Sequence, residues 1–410
     1  MPNLPAERDC CGCAACVDAC PKKAISLREN VNGYFYPIVD KTLCINCKLC
    51  EKKCHVLNQD VLRRNDLASE VPYAAWSLDD ELIKHSASGG VFAQIAKDFL
   101  QDGGFVYGAS LQEDSSVKHI EISSIEELYK LQNSKYQQSD ASGIYAQVKK
   151  RLAEGRKVLF SGVPCQAGAL YVYLHYEESL MQNLFVTEIV CHGVPTNHLG
   201  RLALKFAGAK RILKYRTKTE GWLKGNRITY EMPDGTIMEC ANRREDFLFR
   251  SYLTMSSIRE NCYSCKYARI DRVSDLTLCD FWELDKEKYN HYDGVSLVLV
   301  NSAKGRSLLL DNLNIYKDKV TWEESIPQNQ NLYMPTNRQL FKGCHKISNI
   351  MKLPDCLCKA IFQNGFKNKY ANKMFMMLQS LLVSGLRSRQ KKEQLFKSQE
   401  VLRLLRSVQK

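Results

Sequence analysis

Apolar and polar positions follow two regimes along the chain. In the first sixty residues the apolar positions come as short runs, AISL at 24–27 and GYFYPIVD at 33–40, which predict brief strands. The polar stretch NQDVLRRNDLASEV at 58–71 reads as a linker. From Pro72 onward strand-like and helix-like runs alternate, which predicts an α/β body. In KHSASGGVFAQIAKDFLQDGGFVYGAS (84–110), Ser86 or Ser88 is expected to cap a helix, Gly103 and Gly104 to stop it, and FVYGAS to resume as a strand. Three further apolar runs each lead into a cysteine: KVLFSGVPCQ (157–166), LFVTEIVCHGVP (184–195) and SDLTLCDFW (274–282). Near the C-terminus, MFMMLQSLLVSGL (374–386) is too short and too interrupted to span a bilayer. Beyond it Leu395, Phe396, Val401, Leu402, Leu404 and Leu405 interleave with basic residues at helical spacing, predicting an amphipathic basic helix.

Composition adds compartment and charge. With 45% hydrophobic and 25% charged residues over 410 positions, the chain is expected to fold into two or three soluble domains. MPNLPAERD lacks a basic segment followed by an apolar run, so no secretory signal is expected and the cytoplasm is the default location. There, eighteen cysteines point to metal rather than disulfides. The net charge of +13 is concentrated toward the end, where eight Lys or Arg stand against Glu393 and Glu400 from Arg387 on. That tail is expected to pack on the body with a solvated basic face, or to contact a membrane surface or an acidic partner. No nucleic-acid motif is present.

Cys10, Cys13, Cys16 and Cys20 form C-x2-C-x2-C-x3-C followed by Pro21, and Cys44, Cys47, Cys50 and Cys54 repeat the spacing. Three thiolates at that spacing wrap one face of a 4Fe-4S cube while the fourth reaches the other cluster. The ligand sets are therefore expected to cross: Cys10, Cys13, Cys16 and Cys54 on one cluster, Cys44, Cys47, Cys50 and Cys20 on the other. Zinc knuckles would leave a third cysteine of each run without a role. Cys11 fits neither set.

Ligand sites in α/β sheets gather outside the carboxyl ends of strands, so Cys165, Cys191 and Cys279 are candidates to converge there. NCYSCKYAR adds Cys262 and Cys265, giving five candidates for four ligand positions. A third cluster held by Cys165, Cys191, Cys262 and Cys265 would account for the pattern. The alternatives are buried apolar cysteines, a CxxC redox pair or a zinc half-site. Cys240, Cys344, Cys356 and Cys358 are read as structural. His192 follows Cys191 and suits either a proton donor or a ring bonded to backbone. The SASGG turn at a helix start is a weak phosphate signal by itself, and no GxGxxG is present.

The ordered set of the twin ferredoxin motif, SASGG, QNSKYQQSD, LFSGVPCQAGAL, VCHGVP, NCYSCKYAR and DLTLCDFW resembles the coenzyme F-420 hydrogenase/dehydrogenase beta subunit family, in particular bacterial members found where polysaccharides are made. The resemblance spans roughly residues 5 to 325. It implies a flavin, usually FAD, beside an iron-sulfur cluster. Carried over, Ser88, Gly89 and Gly90 would meet the flavin phosphates, and Ser134, Lys135, Tyr136 and Ser139 would help bind it. The same carry-over favours Cys165, Cys191, Cys262 and Cys265 as ligands and discards Cys279, which stands where relatives often have glycine.

The implied architecture is an α+β/α/β multidomain chain. It comprises a dicluster ferredoxin domain at 1–57, the family's N-terminal domain on the flavin-phosphate side at 70–155, its C-terminal domain with the third cluster and flavin at 156–330, and a helical basic tail at 331–410. The implied function is a cytoplasmic iron-sulfur flavoprotein oxidoreductase. It would move electrons between a ferredoxin-like donor and a small-molecule hydride acceptor. The competing readings are a non-catalytic electron-transfer subunit of a larger redox complex and a body without flavin. The expected partners are a ferredoxin or an oxidoreductase subunit and a small-molecule substrate.

Overall fold

The computed structural model describes residues 1–65, 72–222, 227–240, 246–253, 255, 257–282, 284–285, 288–289, 293–327, 329–336 and 399. The predicted tail helix, the apolar run at 374–386 and Cys344, Cys356 and Cys358 lie outside them.

The cysteine-rich segment folds around one hairpin, β1 (Ile25–Glu29) and β2 (Phe35–Val39), paired antiparallel with Ile25 opposite Val39. Both strands match the two apolar runs read from the sequence. On either side of the hairpin the cysteine loops each end in a single helical turn, α1 (Ala15–Asp18) and α2 (Leu49–Lys52). The repeat is visible in the backbone. Gly12 and Asn46 take positive φ of 66° and 55°, and two residues on Ala14 and Lys48 take 71° and 65°. Such left-handed residues bend the chain tightly enough for successive thiols to face one point.

The body is built on a nine-stranded mixed sheet. Its members, in chain order, are β3 (Tyr73–Ser77), β4 (Phe105–Leu111), β5 (Val117–Ile122), β6 (Ser139–Asp140), β7 (Val158–Gly162), β8 (Leu184–Ile189) and, after a separate small sheet, β12 (Leu276–Asp280), β13 (Ser296–Val300) and β14 (Ile315–Lys319). The spatial order is β14-β3-β13-β12-β8-β7-β4-β5-β6. β4, β7, β8 and β12 run parallel to one another. The small antiparallel sheet comprises β9 (Arg211–Lys214), β10 (Thr229–Glu231) and β11 (Ile237–Glu239). The strand that opens the body, β3, sits between β13 and β14. Segments 70–155 and 156–330 therefore both contribute strands to one sheet.

Period-two alternation decides what each face covers. Val158 and Phe160 of β7 and Val186 of β8 face one core, which holds residues of α5 (Ile144–Ala153) and α6 (Pro164–Leu174). Leu159, together with Leu276 and Leu278 of β12, faces the other, against α4 (Val91–Gln101). α4 begins as expected after SASGG and ends at Asp102, with Gly103 at φ +71°. Its cap departs from the expectation. Gly90, at φ +76°, occupies the cap position with no side-chain bond, while Ser86 Oγ donates to the Leu82 carbonyl and Ser88 Oγ to the Val295 carbonyl. The capped helix is the preceding one, α3 (Asp80–His85), where Asp79 Oδ1 accepts from Glu81 N at 3.1 Å and Leu82 N at 3.3 Å.

The ferredoxin segment docks on the body through polar groups of both parts. Asp18 accepts from the amides of Gly143 and Ala146 at 2.5 and 3.2 Å, at the start of α5. Tyr34 Oη donates to the Ser257 carbonyl at 2.7 Å, and Tyr145 Oη to the Cys13 carbonyl at 2.9 Å. Arg259, fully buried, donates to the carbonyls of Cys10 (3.1 Å) and Phe35 (2.6 Å) and to Gln138 Oε1 (2.6 Å). Gln138 in turn donates to the Gly12 carbonyl at 3.0 Å. Gly12 stands where these groups meet: a Cβ there would come within 2.5 Å of Gln138 Nε2 and 2.7 Å of Arg259 Nη2.

Candidate metal centres

Eight ferredoxin cysteines separate into two groups, and they do so across the repeat. One small cavity is lined by Cys10, Cys13, Cys16 and Cys54 together with Leu4, Pro5, Leu27 and Pro37. A second is lined by Cys20, Cys44, Cys47 and Cys50 with Pro2, Pro21, Ile25 and Ile45. Each cavity thus gathers the three evenly spaced thiols of one loop and the last thiol of the other, and Cys11 also lines the first. Apolar side chains close much of the first cavity, whereas Lys22, Asn46 and Lys48 also line the second. Burial pushes the Cys10 thiol up to about 12 and raises those of Cys16, Cys50 and Cys54. A cationic iron cluster reverses that preference by binding the thiolates, releasing their protons. Four soft sulfur donors lining one cavity fit a 4Fe-4S cube. The two sites differ in exposure. Cys47 is exposed, as are Leu43, Ile45 and Leu49 around it, whereas Cys10 and Cys54 are buried.

A third, larger cavity of about 370 Å³ lies where the carboxyl ends of β7 and β8 meet the ferredoxin segment. Cys165 stands in the first turn of α6, just past β7, and Cys191 two residues past β8. Cys262 and Cys265 come from a 3-10 turn at Glu260–Ser264 and its end. All four line the cavity, together with a fifth cysteine, Cys11. Burial raises the thiols of Cys191, to about 12, Cys262 and Cys265, while that of Cys165 is raised first by its neighbour Cys11 and then by burial. Amides two residues on point back at the sulfurs: Gly193 N to Cys191 Sγ and Tyr267 N to Cys265 Sγ, both 3.4 Å, as Gly12 N does to Cys10 Sγ. Such N–H···S bonds stabilise thiolate charge and tune a cluster held there.

Cys279, set aside by the resemblance, is also apart in space. It lies within β12, its thiol donates to the Leu297 carbonyl of β13 at 3.4 Å, and it does not line the cavity. Cys240 bonds Asp246 near the small sheet. The His192 ring is held by the Asn331 side chain rather than backbone, and burial lowers its pKa.

The loop that carries Cys265 is anchored by a buried ion pair that the sequence did not suggest. Arg272 pairs with Glu188 of β8 and donates to the carbonyls of Tyr267 (2.8 Å) and Arg269 (2.9 Å). Thr277 Oγ1 also donates to Glu188, at 3.1 Å. With both ions inside the protein, these extra bonds are what make the pair tolerable.

The seven residues expected at a flavin do not meet in one place. Gly89 N donates to Ser296 Oγ at 3.1 Å, and a Cβ on Gly89 would lie 2.6 Å from the Ala75 carbonyl, so SASGG packs against the sheet end. Ser139 Oγ accepts from Gln166 Nε2 at 3.0 Å, buried. Ser134 and Lys135 line a different cavity, of about 560 Å³, with Lys130, Arg211, Lys214 and Glu113. Lys135 Nζ donates to the Gln132 carbonyl at 2.7 Å, and burial brings it down to about 7. Tyr136 packs on Tyr215, Phe249 and Tyr252, and Tyr252 lies toward Cys191 and Cys262.

Residues 155–321 match the C-terminal part of the coenzyme F420 hydrogenase/dehydrogenase beta subunit, and residues 9–58 match the 4Fe-4S dicluster domain. Residues 155–321 are thus a domain of that beta subunit family, preceded in the chain by a 4Fe-4S dicluster domain. The chain is an iron-sulfur protein of an oxidoreductase-type family, and its dicluster domain binds 4Fe-4S clusters. Part of the N-terminal segment is 40% identical, over 45 residues, to an uncharacterized ferredoxin of Methanocaldococcus jannaschii. That match covers 11% of this chain and 57% of the ferredoxin. Among solved structures, a chain of the F420-reducing [NiFe] hydrogenase complex from Methanosarcina barkeri aligns with 15% identity and a TM-score of 0.44, over 71% of this chain and 92% of that one. A likeness that distant carries no functional weight. Among the described residues, no helix is long and apolar enough to cross a membrane.

Proposed function

We propose that the protein is an iron-sulfur flavoprotein oxidoreductase that takes single electrons at the exposed end of its ferredoxin segment and delivers them to a small-molecule hydride acceptor. The observation that carries this reading is the third cavity, where Cys165, Cys191, Cys262 and Cys265 gather at the carboxyl ends of parallel strands, directly beside the ferredoxin thiols. Those four would hold a third 4Fe-4S cluster. Cys10, Cys13, Cys16 and Cys54 would hold the buried ferredoxin cluster, and Cys20, Cys44, Cys47 and Cys50 the exposed one.

The exposed end suits a redox partner. Leu43, Ile45 and Leu49 offer exposed apolar side chains near Cys47 in the chain, and Lys22, Lys23, Lys41 and Lys52 of the same segment are exposed and positively charged. An acidic electron carrier complements that face.

For the flavin, Lys130, Lys135, Arg211 and Lys214 make a basic cavity suited to a pyrophosphate, with Ser134 beside them. Tyr215, which lines that cavity, packs on Tyr136, and Tyr136 in turn on Tyr252, 4.7 Å between ring centres. A bound flavin supplies the exchange between single electrons and a hydride. The chain's own residues would bind its phosphates and keep water from the thiol site. Ser88, Gly89 and Gly90 take no part in this arrangement, because the polar groups of Ser88 and Gly89 serve the sheet. The use of those groups by the sheet favours the second reading, a non-catalytic electron-transfer subunit of a larger complex.

Iron, sulfide and flavin content per chain after anaerobic purification separates the two. About twelve irons with one flavin supports the oxidoreductase. About twelve irons without flavin supports the electron-transfer subunit, and about eight overturns the third site.

A further inference from the structure

Cys11 belongs to neither ferredoxin ligand set, yet it is buried at the junction of two thiol sites. It lines the cavity of Cys10, Cys13, Cys16 and Cys54 and also the body cavity of Cys165, Cys191, Cys262 and Cys265. Among the described residues, only Pro5 and Val56 share that double position with it. Its sulfur lies within 4.8 Å of Cys13 Sγ, a residue of the first cavity, and it shares the second cavity with Cys165. Three sulfurs therefore follow one another from the ferredoxin site into the body.

The orientation of Cys11 is fixed by two further buried side chains. His55 Nε2 stands 3.0 Å from Cys11 Sγ, and the ligating atoms of Cys11, Cys13 and His55 all lie within 4.8 Å of one another. The other ring nitrogen of His55, Nδ1, is 2.6 Å from Tyr267 Oη. His55 directly follows Cys54, and Tyr267 lies two residues beyond Cys265. The bracing pair is thus tied at one end to the ferredoxin thiols and at the other to the body thiols. α6 comes close enough that a Cβ on Gly168 would overlap the Tyr267 hydroxyl.

We propose that Cys11 is the electron-transfer contact between the buried ferredoxin site and the body site, its sulfur spanning Cys13 and Cys165 while His55 and Tyr267 hold it in place. Each ligand set already has four thiols, so Cys11 serves as a bridge and not as a ligand. Sulfur is the most polarizable atom available to a side chain, and a buried, braced sulfur reorganises little when charge passes. The step moves one electron: the site on the Cys13 side is oxidised, the site on the Cys165 side is reduced, and no bond or proton changes place. The reductant is a low-potential ferredoxin acting on the exposed end.

The inference rests on the three-site reading above, and the test separates the two. The full chain is loaded anaerobically as wild type, Cys11→Ala, Cys11→Ser and His55→Leu, and iron is measured first. Each form is then mixed with a reduced dicluster ferredoxin. Freeze-quenched samples are read by electron paramagnetic resonance, with the body signal assigned by its loss in Cys262→Ser. The expected result is unchanged iron in every Cys11 and His55 variant and wild-type reduction of the ferredoxin signals. The body signal should lag by an order of magnitude or more in Cys11→Ala, and by less in Cys11→Ser and His55→Leu. A body signal that rises at the wild-type rate in folded Cys11→Ala overturns the bridge and leaves the three-site reading standing. Loss of one cluster's iron in Cys11→Ala and Cys11→Ser makes Cys11 a ligand and also overturns it. If Cys11→Ala does not fold, the lag in His55→Leu decides. Wild-type protein with only two clusters overturns both readings.

Discussion

Arg259→Met is the sharpest test of how the ferredoxin segment is held. The guanidinium reaches the carbonyls of Cys10 and Phe35 and the Gln138 side chain, and its carbon lies 4.4 Å from the Tyr36 ring centre and 5.3 Å from that of Tyr34. Methionine keeps the length and apolar stem but donates nothing. Of the two carbonyls left without this donor, that of Cys10 is buried and that of Phe35 half-buried, and together they cost about 3 kcal/mol. Losing the desolvated cation–π contacts adds about 1 kcal/mol, while Gln138 can turn to a new partner. The sum is about 4 kcal/mol, placed at the interface and nowhere else. Opening of the ferredoxin segment from the body should become easier by about that amount, which is roughly a thousandfold in an opening equilibrium. Hydrogen exchange read by mass spectrometry measures this directly. Amides around Cys10–Gly12 and in β2 should exchange roughly a thousandfold faster, while those of β7 and β8 keep their wild-type protection. Exchange at Cys10–Gly12 within about threefold of wild type would refute the role assigned to Arg259.

Three other outcomes are expected. Cys165→Ser or Cys262→Ser should remove roughly four irons and leave the ferredoxin signals in place, by iron analysis and electron paramagnetic resonance; undiminished iron in both would sink the third site. His119 is buried, stacked on Phe160, with Nε2 3.1 Å from the Ser161 carbonyl, and burial lowers its pKa from 6.5 to about 4. Unfolding lets it protonate, so its contribution is full above pH 6.5 and is lost as pH falls toward 4, by about 3 kcal/mol. His119→Phe should flatten that part of the stability curve in urea titrations, and an unchanged slope would count against it. Asp79→Ala should cost about 1 kcal/mol in thermal unfolding by uncapping α3, and a change near zero would mean that the cap geometry does no work.

The eight ferredoxin cysteines were legible because their chemistry is written in local spacing, and the crossing of the two sets follows from the repeat. Cys165 and Cys191 were legible for a related reason: a buried strand that ends at a cysteine delivers it to the sheet's carboxyl edge. Cys279 resembled them in sequence and differs in space, since its strand continues through it to Asp280. Ser86 and Ser88 misled because a serine before a helix has several uses, and here the close approach of SASGG to β3 and β13 claims Ser88. The Asp79 cap has a local signal of its own, an aspartate ahead of DELIKH, which the glycines downstream overshadow. Cys11, His55 and Arg259 had no local signature. Their roles arise from partners more than a hundred residues away, namely Cys165, Tyr267 and Cys10, and only the docked fold brings these together.

The cavity lined by Cys165, Cys191, Cys262 and Cys265 is also walled by Pro5, Asp9, His55, Val56 and Leu57, all from the ferredoxin segment. One wall of that cavity is therefore supplied by a different part of the chain. If the cavity holds a cluster, the way in is widest before the N-terminal segment settles on the body, and docking afterwards encloses it.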